Sequence, residues 1–375
     1  MTKRTQNDET DVLHYFRAGN DIKELNEIKN LLHAQLSSRN LCFFIGSGCS
    51  QPAVKLMSEM FEFIKANKQN NSLINVFSGE TLEQYLSWLN DAMRFENAKN
   101  NHNDEKYRQA FDSAIKLIYG FMPTDYNEKK YSQVKQTYRS FYECVMRKCN
   151  NENLEPISIF TTNYDLFNEY SLEDNNIEYT TGFDQKIVRI FNPKNFHYRI
   201  VDAENRYKNQ WMPVNKFVKL FKLHGSVNWK YADGKIVQND NLSYSENIII
   251  YPSINKHFET VQSPYSELFR EFSICLQKPS TTLVVIGYGF SDDHINNLIV
   301  QNLNNRDFTL IVFGKESIIE SNFYSLNKDK VNLHIIYGEI DGKWAHHLDV
   351  IVEKYLVDNM SGSTNAETGC FEHEV

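Results

Sequence analysis

Four short stretches carry residues whose types and spacing could do chemistry. Gly46-Ser47-Gly48-Cys49-Ser50 is small enough for backbone N–H groups to approach a phosphate, and a helix starting there would add about half a positive charge. Gln51 stands where a Gly-x-Gly-x-x-Gly pattern has its third glycine, and a plain strand-to-helix turn would use the same residues. Thr161-Thr162-Asn163-Tyr164-Asp165 sets an amide and a carboxylate two residues apart. Such a pair could hold an amide and a ribose hydroxyl, or simply cap the next helix. Leu223-His224-Gly225-Ser226 offers a histidine, either a general base near neutral pH or a packed structural group. In Gly287-Tyr288-Gly289-Phe290-Ser291-Asp292-Asp293 the glycines could face a second phosphate or ribose, while Ser291, Asp292 or Asp293 could cap a helix. Gly314-Lys315 lacks the upstream glycine spacing of a P-loop.

The elements around these stretches point to one architecture. Leu41-Cys42-Phe43-Phe44-Ile45 is a continuous apolar run, as expected of a parallel strand buried on both faces. Ile157-Ser158-Ile159-Phe160, Phe217 to Leu223 and Thr282 to Ile286 lead into the other three stretches, and Ile248 to Tyr251 is a further strand. Helices are expected over 50–66, 263–278, 293–303, 315–326 and 344–357, with strands over 308–313 and 331–337. The alternation predicts an α/β fold, a doubly wound Rossmann-like parallel sheet with an inserted helical subdomain. Ligands of such sheets bind beyond the carboxyl ends of the strands. Residues 1–40 read as N-terminal helices, two of them over 9–38 with a break at Gly19 and Asn20. The sheet domain is assigned to 41–69 and 151–358, the helical insertion to 70–150, and a disordered tail to 359–375.

Composition narrows the function classes. The 375 residues are 41% hydrophobic, enough for a substantial core, and 40 basic against 48 acidic side chains argue against nucleic-acid binding through bulk charge. No apolar run approaches the ~18–20 residues of a membrane span, and the first residues lack the apolar core of a signal peptide, so the expectation is a cytoplasmic protein without membrane contact. The six cysteines, at 42, 49, 144, 149, 275 and 370, form no Cys-x-x-Cys pair. They read as reduced thiols, and no metal site is expected; the only histidine doublet, His346-His347, has no partner cysteines.

The order glycine loop, Asn-x-Asp, His-Gly, Gly-x-Gly resembles the sirtuin family. The matching positions are Gly46, Gly48 and Ser50, then Asn163 and Asp165, then His224 and Gly225, then Gly287. The resemblance covers about 41–340 and is most specific in Thr-Asn-Tyr-Asp and Leu-His-Gly-Ser. The Gly-Tyr-Gly-Phe-Ser-Asp-Asp-His-Ile stretch looks like the divergent bacterial branch of sirtuin-like domains that act as NAD hydrolases in anti-phage defence, of the type that assembles with a HerA-like ATPase. Three features of deacetylase sirtuins are missing: the four-cysteine zinc module after His-Gly, the arginine segment after the glycine loop, where Gln51-Pro52-Ala53-Val54 stands, and the extended acyl-peptide-binding strand motif.

The resemblance implies cleavage of the nicotinamide–ribose bond of NAD as substrate. Asn163 would orient ribose or water, Asp165 would hold the nicotinamide end or a ribose hydroxyl, and His224 would take a proton. Gly46, Ser47, Gly48 and Cys49 would seat the diphosphate, with Gly287 and Ser291 toward adenosine and Thr162 and Tyr288 completing the binding set. The alternatives are an NAD or ADP-ribose sensor without catalysis, and a zinc-free deacylase or ADP-ribosyltransferase. Phe16, Leu25, Trp88 and Phe141 lie on apolar faces that either pack on the sheet or form a homo-oligomer interface.

Overall fold

A computed structural model describes residues 13–22, 24–67, 72–99, 104–148, 155–214, 216–239, 247–249 and 263–357. The expected tail over 359–375, Cys149, Cys370 and the Ile250-Tyr251 end of one expected strand lie outside the described residues.

The strands are β1 (Leu13–Arg17), β2 (Asn20–Ile22), β3 (Asn40–Ile45), β4 (Ile157–Thr161), β5 (Glu178–Thr180), β6 (Arg189–Ile190), β7 (Val201–Tyr207) and β8 (Gln210–Pro213). They continue with β9 (Phe217–Lys222), β10 (Gly225–Ala232), β11 (Lys235–Gln238), β12 (Asn247–Ile249), β13 (Thr281–Ile286), β14 (Phe308–Phe313), β15 (Leu333–Ile340) and β16 (Lys343–Trp344). The helices are α1 (Leu25–Gln35), α2 (Met57–Ala66), α3 (Leu82–Ala98), α4 (Glu105–Gly120), α5 (Ser132–Lys148), α6 (Phe167–Asp174), α7 (Tyr265–Leu276), α8 (Asp293–Asn302) and α9 (Asn322–Asn327).

The main sheet runs β2-β1-β15-β14-β13-β3-β4-β9-β5, with β16 paired to β15. From β15 to β5 every neighbouring pair is parallel. The expected α/β sheet is therefore present. Its winding reverses beside β3: the chain moves through β4 to β9 on one side, then returns to β13 and β14 on the other. A crevice opens beyond the carboxyl ends of the strands at such a reversal.

Both faces of this sheet are covered. Phe43, Ile45, Ile159 and Ile286 join one buried cluster, while Cys42, Phe44, Phe160 and Val285 join the other. Side chains alternate between faces along a strand, so two buried faces require the uninterrupted apolar runs seen in the sequence. The expected helical insertion supplies α3, α4 and α5. Phe141 of α5 meets Phe43 edge-on with ring centroids 5.2 Å apart. Leu25 and Trp88 pack on that same cluster, and Phe16 packs on the other, so these four residues serve the core.

The helix expected over 344–357 is a short helical turn, Leu348–Val350, running into a π-helix over Ile351–Leu356, and two other expected helices take another form. The first over 9–38 is replaced by the hairpin β1–β2, while the second is α1. Arg17 pairs with Asn20, leaving Ala18 (φ 48°) and Gly19 (φ 76°) as a two-residue loop with both residues left-handed. That is the turn geometry whose twist suits a hairpin. Non-local contacts then outweigh local propensity: β1 pairs antiparallel with β15, and Tyr15 Oη lies 2.7 Å from His334 Nδ1. The other case is the helix expected from Ser50. Ser47–Ser50 is a single 3-10 turn, and α2 begins only at Met57, where the Glu59 carboxylate accepts from the Leu56 N–H at 2.7 Å. The helix dipole assigned to the glycine loop therefore starts well downstream of it.

Candidate functional site

The four stretches lie at the carboxyl ends of β3, β4, β9 and β13, which are consecutive in the order β13-β3-β4-β9. The glycines of the first and last are explained by packing between two chain segments. The Gly46 N–H donates to Ile286 O at 2.8 Å, and the Gly48 N–H donates to Gly287 O at 2.9 Å. A Cβ on Gly46 would sit 2.4 Å from Gly287 O, and Gly287 itself has φ +67°. These amides are already bound within the protein, as is that of Cys49, which donates to Gly46 O at 3.1 Å. Cys49 is buried behind the loop. Its thiol donates to Ile286 O at 3.4 Å, and burial pushes its pKa far up.

Asn163 is 5% exposed and ties the loop of β4 to that of β3. Its Nδ2 donates to Gly46 O and to Ser50 Oγ, both at 3.1 Å. Its Oδ1 is buried without a hydrogen-bond partner among the described residues. A buried carbonyl oxygen left in that state costs ~1–3 kcal/mol, so it is an acceptor suited to a ligand or water. Asn163 therefore acts as an inter-loop clamp with one acceptor to spare, whereas the expected cap of α6 falls to Asp165, whose Oδ1 accepts from the Phe167 N–H at 3.1 Å.

Asp165 sits on a charged network that sequence reading missed. Lys222, at the last position of β9, is fully buried and donates to the Asp165 and Tyr164 carbonyls and to Glu169 Oε1, the last at 2.8 Å. Burial raises the pKa values of Asp165 and Glu169, and the nearby Lys222 ammonium opposes that rise. The visible signal was a lysine closing a largely apolar strand, Phe217-Val-Lys-Leu-Phe-Lys222, which carries a second lysine at 219.

His224 follows directly and is 7% exposed. Its Nε2 lies 3.3 Å from Asp292 Oδ2, while Asp292 Oδ1 caps α8 by accepting from the His294 N–H at 3.1 Å. The cap expected of Ser291, Asp292 or Asp293 is thus Asp292, and its second oxygen lies beside the histidine ring. Tyr288 braces the same turn: its hydroxyl accepts from the Asp292 N–H at 3.2 Å.

Two hollows open over these strand ends. The smaller, about 110 Å³, is lined by Ser47, Thr162, Asn163, Asp165, His224, Tyr288, Ser291 and Asp292, with Glu83, Met122 and α2 residues closing over it. The larger, about 460 Å³, is lined by Ser47, Gly48, Gly287 and Tyr288, by Gly314 and Lys315 beyond β14, and by His346 and His347. Ser47, Tyr288 and Gly289 border both. Gly46 and Cys49 line neither. Among the described residues there is no group of three or more His, Cys, Asp or Glu side chains that could hold a metal ion, and no helix is long and apolar enough to cross a membrane.

The two hollows thus meet along Ser47, Tyr288 and Gly289, at the winding reversal of a parallel sheet, where ligands of such sheets bind. No curated protein matches the chain. Residues 157–336, from β4 into β15, match the model of the SIR2-like domain. That stretch contains Asn163, Asp165, His224 and Gly287, and the glycine loop of β3 is hydrogen-bonded onto it. SIR2-like domains use NAD, and it is this stretch, somewhat under half of the chain, that is similar to them.

Proposed function

We propose that the protein is an NAD glycohydrolase, releasing nicotinamide and ADP-ribose. One observation carries this reading: the buried, unpartnered Asn163 Oδ1 and His224, with the Asp292 carboxylate beside it, line the same small hollow. Nicotinamide and its ribose would occupy that hollow, with the diphosphate near Ser47 and adenosine in the larger one. The C1′–N bond breaks and neutral nicotinamide leaves with the electron pair. Water adds to the oxocarbenium-like C1′, and His224 accepts its proton. Asn163 Oδ1 accepts a hydrogen bond from that water or from a ribose hydroxyl. The methionine-lined cover from α2 and Met122 would restrict access of bulk solvent.

The test is to mix the protein with NAD and follow free nicotinamide. Stoichiometric binding without release would favour the sensor reading. Release that depends on an added acyl-peptide would favour the deacylase reading.

The resemblance to defence-associated sirtuin-like domains supports a role as an NAD-depleting effector in anti-phage defence, with a HerA-like ATPase as partner. It also supports self-association. The side chains first considered for an interface serve the core, so an interface would draw on the exposed hairpin β7–β8, where Tyr207 and Trp211 are 62% and 51% exposed. Sedimentation at micromolar concentration is expected to show a homo-oligomer that Trp211→Ser weakens. A monomer would contradict this.

A further inference from the structure

The larger hollow carries basic and hydrogen-bonding groups that cleavage at the nicotinamide end does not use. Lys315 is the second residue after β14, and His346 and His347 follow β16; all three line this hollow and none lines the smaller one. His346 Nδ1 is a buried polar atom without a hydrogen-bond partner among the described residues. Asp293, at the start of α8, is the acidic side chain on the same wall. Dinucleotide sites on parallel sheets discriminate at the adenosine ribose: an acidic side chain holds a free 2′-hydroxyl, whereas a basic one accommodates a 2′-phosphate.

We infer that the larger hollow accepts an adenosine bearing a 2′-phosphate, with Lys315 as the charge partner and His346 as a hydrogen-bonding partner, so that NADP is a substrate alongside NAD. The assignment of adenosine to this hollow rests on the cleavage reading above. Burial, with the neighbouring His347 and Lys315 charges, lowers the pKa of His346 to about 4. At neutral pH the imidazole is therefore uncharged, and Lys315 supplies the positive charge.

The test titrates the full chain calorimetrically with 2′,5′-ADP, with AMP and with inorganic phosphate at one ionic strength. A charge-assisted contact predicts that 2′,5′-ADP binds about tenfold tighter than AMP, and that Lys315→Ala removes most of that preference. Lys315 is exposed, and a thermal melt checks that the variant is folded. In parallel, Lys315→Ala is expected to lower the ratio of kcat/KM for NADP over NAD by a similar factor. Equal binding of 2′,5′-ADP and AMP, no binding of either, or a preference that survives Lys315→Ala overturns the inference. So does inorganic phosphate binding as tightly as 2′,5′-ADP, which marks an adventitious anion site. Absence of nicotinamide release from both dinucleotides overturns the cleavage reading instead, and the binding measurements still decide this one.

Discussion

His224→Ala is expected to lower nicotinamide release from NAD by ~10²–10⁴-fold, the usual contribution of a positioned general base. The histidine sits just past a strand end with Asp292 Oδ2 3.3 Å from its Nε2, and Asp292 also caps α8. Truncation removes the base but leaves that cap in place, and the thermal melt should move little. Asn163→Ala should also abolish release, for a different reason. It removes the spare Oδ1 acceptor and both bonds from Nδ2 to Gly46 O and Ser50 Oγ, so the β3 loop loses its clamp. The structural cost, ~1–3 kcal/mol, is tolerable in a domain with ~5–15 kcal/mol of stability. Wild-type turnover by folded His224→Ala would remove histidine from the mechanism. The same result for Asn163→Ala would leave binding without catalysis as the better reading.

The largest effect on stability is expected from Lys222→Met. The ammonium is fully buried and serves two backbone carbonyls and Glu169, with the raised-pKa Asp165 alongside. Taking one partner out of a buried charged pair leaves the other uncompensated, at a cost of ~3–5 kcal/mol. The melting temperature should fall by roughly 10 °C. Replacing both partners by apolar groups is far less costly, so Lys222→Met combined with Glu169→Leu should recover part of the loss. Melts of the wild type and the two variants give the answer. An unchanged Tm in Lys222→Met, or a double variant less stable than the single one, would show that the network does not hold the Asn163–Asp165 turn together.

Much of the sheet was legible from composition along the chain. Residues 41–45 and 283–286 are apolar without interruption and 157–160 are broken only by Ser158, as suits strands covered on both faces. The residues after each run are small or polar, which marked the carboxyl edge where the hollows lie. Locally encoded helices such as α3, α4 and α5 were equally readable from their apolar spacing. The hairpin β1–β2 was not, because the partner that makes it a strand, β15, lies some 320 residues further along.

Within the site, the residue types of the four stretches were set by the sequence, while their duties were decided by tertiary contact. Gly46 and Gly287 looked like phosphate-approach glycines, yet the close meeting of the β3 and β13 loops already requires them. Asn163 looked like a cap and is a clamp with one open acceptor; Asp292 looked like a cap and both caps α8 and places a carboxylate beside His224. The burial of Lys222 became visible only once β9 lay against β4 with α6 beside it. The physical reason is one of range. Periodicity and turn chemistry are properties of neighbouring residues, whereas hydrogen-bond partners, burial and charge pairing at this site join segments from about fifty to more than a hundred residues apart.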